Sequence, residues 1–219
     1  MKLMRCLVNA LIVVTAAFTF TFPALALDAK ANTKIMVYGD SLSAAYGINP
    51  SQGWVNLMQA TLANKNVTIV NASISGETTT GGASRIKTDL ARHKPNIVLL
   101  ALGANDGLRG LPIGEMRKNL VKMLAEIKRA NASAIIVGIQ IPPNYGIDYA
   151  MQFKSMFASL AKKQKLPLVP FLLDGIAENL DNFQSDRLHP TAAAQPRILA
   201  NVLPVIERSL LTKPVTKSK

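Results

Sequence analysis

Ser41, Asp186 and His189 are the side chains best suited to covalent chemistry. Ser41 closes the run "KIMVYGDS", where an apolar stretch gives way to Gly39-Asp40-Ser41. A serine hydroxyl is a weak nucleophile at neutral pH and needs an adjacent base. His189 follows Asp186 by three residues in "SDRLHP" and is locked by Pro190. On a turn, positions three apart share one side. An Asp so placed can hold one imidazole tautomer and stabilise its charged form, the orienting role in a Ser-His-Asp triad. Taken singly, each signal has a plainer reading. Asp and Ser both favour helix caps, and D-x-x-H also arises as a helix-start Asp with a chance His.

Acyl transfer also needs hydrogen-bond donors aimed at the developing oxyanion. The loop "NASISGETTTGG" can offer the backbone N–H of Gly76, "GANDG" the side-chain amide of Asn105, and Ser41 its own N–H. The second histidine, His93, stands in "ARHKP" among basic neighbours, where a last-turn histidine favours the helix dipole and reads as structural. Other chemistries lose their motifs: the chain has no G-x-x-x-x-G-K-[ST] loop, no G-x-G-x-x-G, no G-x-S-x-G elbow and no H-E-x-x-H. With two histidines and one cysteine in the chain, neither a metal nor a cofactor is expected.

These groups need a scaffold that brings distant loops together. Apolar runs at 34–38, 67–72, 96–102 and 133–140, with a weaker one at 167–171, read as strands. Their character is continuous rather than alternating, as in strands covered on both faces of a parallel sheet. Helical patterns lie between them at 53–65, 83–93, 114–130 and 149–163, and a final one at 192–211 carries two prolines that predict a kink or break. Strand then helix, repeated, predicts an α/β fold: a three-layer α/β/α sandwich around a doubly wound parallel sheet of about five strands, flavodoxin-like. Ligands in such sheets bind outside the carboxyl ends of the strands, where all four polar loops fall.

The chain has 219 residues and a net charge of +12. Residues 1–26 have the layout of a secretory signal: Lys2 and Arg5, an apolar run, and an A-x-A site at Ala24 and Ala26. The remaining expectations are one domain over 27–211 and a basic, disordered tail over 212–219, in a periplasmic or secreted monomer. Cys6 would leave with the signal, so the mature chain would hold no thiol nucleophile and no disulfide. A strongly basic exported protein can make weak contact with an anionic membrane surface, although a solvated surface is the simpler reading because the cations are dispersed. No aromatic interleaving marks a site for single-stranded nucleic acid, and no nucleic-acid partner is expected.

The blocks "GDSLS", "NASISGET", "GANDGLRG" and "DRLHP", in this order from Gly39 to Pro190, resemble those of the GDSL, or SGNH, hydrolases. Each block is weak alone; four in order are specific. The resemblance implies Ser41 as nucleophile, His189 as general base, Asp186 as orienting acid, and an oxyanion hole from the Ser41 and Gly76 N–H groups with the Asn105 amide. It leaves Asp40 to hold the turn. It further implies a serine esterase or thioesterase acting on acyl esters or thioesters such as lysophospholipids, through an acyl-enzyme. Leu108, Leu111, Ile141, Pro142 and Tyr145 are candidates to contact the acyl chain; ordinary packing is their alternative. Ala45, Ala104, Ser185 and Arg187 depart from residues common in the family, without removing a reactive group. Two rival functions use the same scaffold: an O-acetyl esterase of carbohydrate or cell wall, and a non-catalytic lipid- or glycan-binding module.

Overall fold

The computed structural model describes residues 32–212. The expected signal segment, and the expected tail beyond Thr212, lie outside them. Five strands alternate with helices: β1 (Thr33–Gly39), α1 (Trp54–Thr61), β2 (Val67–Asn71), α2 (Thr79–His93), β3 (Ile97–Ala101), α3 (Ala104–Leu108), α4 (Ile113–Arg129), β4 (Ser133–Val137), α5 (Ile147–Gln164), β5 (Leu168–Val169) and α6 (Gln195–Leu211). All strand pairs are parallel, in the order β2-β1-β3-β4-β5. This is the flavodoxin-like order, whose switch point lies between β1 and β3.

α1 and α6 pack on one face, and α2, α4 and α5 on the other. The central strands are buried throughout: Ile35 to Tyr38 of β1 and Val98, Leu99 and Leu102 around β3 are fully covered. The Met and Phe stripes, Met116, Met123, Phe153, Met156 and Phe157, are core faces. β2 is an edge strand, and its Thr68, Ile69 and Val70 stay half-buried.

Four local expectations shift, each for a physical reason. β5 has only two residues because Pro167 and Pro170 flank it and neither can donate to the ladder. α2 starts at Thr79, not Ala83; Thr78 caps it, its hydroxyl accepting from the Gly81 N–H at 3.3 Å. "GANDG" is a short helix, α3, rather than a loop. The terminal stretch splits into a 3₁₀ turn, 192–194, and one continuous α6. Pro196 lies in the first turn of α6, where no N–H is needed, and Pro204 sits on an exposed side, so the carbonyl it leaves unpaired faces water.

Candidate active site

Beyond the carboxyl ends of β1 and β2 lie the turn and loop bearing Ser41 and Gly76, and beyond β3 the short helix α3 bearing Asn105. Ser41 opens a tight turn, 41–47, in which the Asp40 carbonyl accepts from the Ser43 and Ala44 N–H groups at 3.1 and 3.0 Å. Asp40 also accepts from the Leu42 N–H at 3.0 Å, so its side chain does hold the turn. Burial pushes its carboxyl up to about 7, with the Asp106 and Glu77 charges adding to the shift. Its Oδ2 and the Ser43 hydroxyl are buried without a partner.

The β2 loop is laced to this turn. The Ile74 N–H donates to the Gly39 carbonyl at 3.1 Å and the Asn71 amide to the Ser43 carbonyl at 2.8 Å. Gly76 adopts φ +78°, and a side chain there would meet open space, so backbone conformation rather than room calls for glycine. The Asn105 Nδ2 donates to the Glu77 carbonyl at 3.0 Å, which sets Asn105 beside Gly76. One amide hydrogen of Asn105 remains, and the Ser41 and Gly76 N–H groups have no acceptor among the described residues. Behind them, the buried Asp106 of α3 accepts from the Thr79 N–H at 2.9 Å and the Thr79 hydroxyl at 2.5 Å. A carboxylate at a helix N-terminus suits the dipole, and this one ties α2 to α3. Glu77 is held by Arg85 at 2.7 Å, and Arg85 lies over the Tyr38 ring, 4.1 Å from its centroid.

The loop after β5 must cross to the β1 side to deliver His189, and α6 leads it there by packing on α1. Buried Gln195 pins the crossing, its Oε1 accepting from the Trp54 N–H at 3.0 Å, while the indole N–H donates to the Leu42 carbonyl at 3.0 Å. His189 Nε2 then lies 2.9 Å from Ser41 Oγ, and its Nδ1 lies 2.7 Å from Asp186 Oδ2. The other Asp186 oxygen accepts from the Leu188 and His189 N–H groups at 2.9 and 3.0 Å. These bonds from His189, backbone and then side chain, hold the carboxyl down at about 2. An ionised Asp186 cannot donate, so Nδ1 carries the proton and Nε2 is the acceptor facing the serine hydroxyl. The set can move a proton from Ser41 to His189 while Asp186 stabilises the charged ring.

Gln184 and Tyr46 belong to the same site although neither stood out in the sequence. Gln184 Nε2 donates to the Tyr46 carbonyl at 2.8 Å and to the Pro190 carbonyl at 3.1 Å. Its backbone N–H donates to the His189 carbonyl at 2.8 Å. It straps the serine turn to the histidine loop. The Tyr46 ring lies on the His189 ring with centroids 4.4 Å apart. A glutamine inside a motif and an aromatic five residues past the serine are the only sequence traces of these contacts. Ala45 and Arg187 both sit at positive φ, 58° and 55°, a left-handed conformation that costs least at glycine. His93 lies in the last turn of α2, away from the site.

The acyl-contact candidates fall in two groups. Leu108 and Leu111 are half-buried, and the Tyr149 hydroxyl donates to the Leu111 carbonyl at 2.7 Å. Ile141 is buried at 7 % exposure against Gly107, and Pro142 and Tyr145 are exposed at the rim.

Residues 37–196 match the model of the GDSL-like Lipase/Acylhydrolase family, most of the chain. The chain belongs to that family. This GDSL-type acylhydrolase is 43 % identical over 185 residues to Esterase TesA of Pseudomonas aeruginosa, covering 84 % of this chain and 92 % of the relative. It is 38 % identical over 174 residues to the Escherichia coli K12 protein named Thioesterase 1/protease 1/lysophospholipase L1, covering 80 % and 83 %. Among solved structures, psychrotrophic esterase EstA from Pseudoalteromonas sp., inhibited by monoethylphosphonate, superposes with a TM-score of 0.78 at 39 % identity, over 82 % of this chain and all of that one. The acylhydrolase therefore has the SGNH hydrolase fold, as expected from its blocks.

Proposed function

We propose that this acylhydrolase is an exported serine esterase and thioesterase, with Ser41, His189 and Asp186 as its triad. The observation that carries the reading is the hydrogen-bonded chain from Ser41 Oγ through His189 to Asp186, at 2.9 and 2.7 Å. Ser41 attacks the acyl carbonyl as His189 Nε2 takes its proton. The Ser41 and Gly76 N–H groups and the Asn105 amide hold the oxyanion. His189 protonates the departing alcohol or thiol, and the acyl group stays on Ser41. Water, deprotonated by the same imidazole, attacks the acyl-enzyme and releases the carboxylic acid. The names of the relatives support simple esters, acyl thioesters and lysophospholipids as substrates. Leu108, Leu111, Ile141, Pro142 and Tyr145 would meet the acyl chain. The leader-like residues 1–26 support export, and no helix among the described residues is long and apolar enough to cross a membrane.

A hydrolysis panel tests the reading by crossing oxygen-ester and thioester leaving groups with acyl-chain length. Wild type should turn over both bonds and Ser41→Ala neither. A phosphonate of the kind bound to EstA should label Ser41 and no other residue. Turnover that survives Ser41→Ala, or a label elsewhere, would refute the assignment.

A further inference from the structure

The high net charge is not used by the proposed reaction, and the fold distributes it unevenly. Cations from separate elements, with the run at 162–165 among them, gather in space. Helices in this winding run against the strands, so α2, α4, α5 and α6 all end beside the amino ends of the strands. A cleft of about 650 Å³ at that pole is lined by Asn32, Asn96, Lys128, Asn131, Lys165 and Thr212, from separate elements. Around it, Lys94, Lys128, Lys162, Lys163, Lys165 and Arg208 are exposed, and none has a carboxylate partner among the described residues. Lys65 there is neutralised by Glu207 at 2.5 Å. The helix dipole accounts for a basic residue in any one last turn; the acidic residues at this pole, Glu126 and Glu207, are taken up by Arg129 and Lys65, which leaves these six cations in excess.

The opposite, carboxyl edge has the reverse sign. Asp148 in the first turn of α5 and Asp174, Glu178, Asp181 and Asp186 between β5 and α6 are exposed there, against Arg109, Arg187 and Arg197, the last paired with Asp174 at 3.5 Å. The molecule is an electrical dipole with its candidate active site at the acidic end. An anionic sheet would attract the basic pole and repel the acidic one, which decides the orientation.

A second observation favours lipid over nucleic acid at this pole. Leu211, at the end of α6, is 87 % exposed there, while the exposed large hydrophobic side chains of the opposite edge, Tyr46, Ile74, Tyr145, Ile147, Leu180 and Leu188, surround the candidate active site. No large aromatic side chain is exposed at that pole to stack on bases. Cations around a protruding leucine suit an interface between charged headgroups and acyl chains.

We propose that the basic pole is a docking surface for an anionic lipid bilayer, which holds the acylhydrolase with Ser41 facing away from that bilayer. Substrate then reaches the site from the aqueous side, as a monomer, a micelle or an opposing surface. The docking does not depend on the reaction assigned to Ser41.

Co-sedimentation of the full chain with phosphatidylcholine vesicles, with and without phosphatidylglycerol, tests this. Any contribution of residues 1–26 is common to all variants. Wild type should bind the anionic vesicles more tightly, and salt should reverse the difference. Each pole cation is worth about a fivefold change in binding, so Lys128→Gln/Lys162→Gln/Lys165→Gln should weaken it roughly a hundredfold. Leu211→Ser should weaken it roughly tenfold. Lys87→Gln/Lys118→Gln/Lys154→Gln, which removes as much charge from mid-helix positions, should stay near wild type. Turnover of a soluble p-nitrophenyl ester should be unchanged in every variant, which shows that each is folded. Equal losses in the two triple variants, or equal wild-type binding to both vesicle types, overturn the proposal. Binding of duplex DNA through the same three lysines, without vesicle binding, overturns it in favour of nucleic acid.

Discussion

Asn105 is the residue on which chemistry and scaffolding can be separated. One amide hydrogen is committed to the Glu77 carbonyl, and the other remains for an oxyanion. Removing one such donor costs about 3–4 kcal/mol of barrier, so Asn105→Ala should lower kcat by two to three orders of magnitude. Circular dichroism should show the fold intact, and wild-type turnover would sink the assignment. The two aspartates of the site titrate in opposite senses. Asp186 is lowered from 3.8 to about 2, so it contributes stability above pH 3.8 that is lost as the pH falls through 2. Asp40 is raised from 3.8 to about 7, so folding takes up a proton within that window and stability falls as the pH rises through it. Asp40→Asn keeps an oxygen acceptor for the Leu42 N–H and cannot titrate. Urea midpoints measured from pH 4 to 8 should therefore decline less in Asp40→Asn than in wild type. Parallel declines would contradict the burial argument.

At the scale of elements, the site depends on how the starts of α2 and α3 are tied. Asp106 satisfies two buried donors on Thr79, and this link keeps the Gly76 and Asn105 loops in register. Each buried donor left unpaired costs about 1–3 kcal/mol, so Asp106→Ala should lose at least about 2 kcal/mol in urea unfolding. It should also lower ester turnover, although Asp106 is no part of the triad. The same two elements were the hardest to read from the chain. Gly81 and Gly82 hide the true start of α2, because glycine weakens a helical pattern. Glycine at 82 nevertheless suits the packing, since a Cβ would come within 2.4 Å of Leu102 Cδ1 and force that buried side chain to move. α3 is five residues long, too short for any hydrophobic period to show.

At the scale of the whole molecule, His189 reaches Ser41 only because the chain doubles back after β5. Its anchor is the apolar face of α6 against α1, where Ile198, Val202 and Ile206 are fully or almost fully buried. Ile198→Ala should cost about 2–5 kcal/mol, read as a lower denaturant midpoint. A neutral result would mean that α6 is not the anchor. The charge separation also belongs to this scale, because the antiparallel course of helices and strands brings the run of lysines at 162–165 together with Lys94, Lys128 and Arg208 from other elements.

The order of elements, the parallel character of the sheet and the candidates for reactive residues were legible in the chain. Continuous β-branched runs, helical stripes and the four polar blocks are local patterns, and local patterns survive in a linear sequence. Ser41, Gly76, Asn105, Asp186 and His189 could be named because each sits in a short block. The distance from Ser41 to His189 could not, nor could the strap from Gln184 to Tyr46 or the Tyr46 ring on His189, because those contacts link residues more than a hundred positions apart. The left-handed turns at Ala45 and Arg187, the buried state of Asp40 and the basic pole were likewise decided by tertiary structure. Each depends on what packs against a residue, and packing is set when the sheet winds and α6 closes on α1.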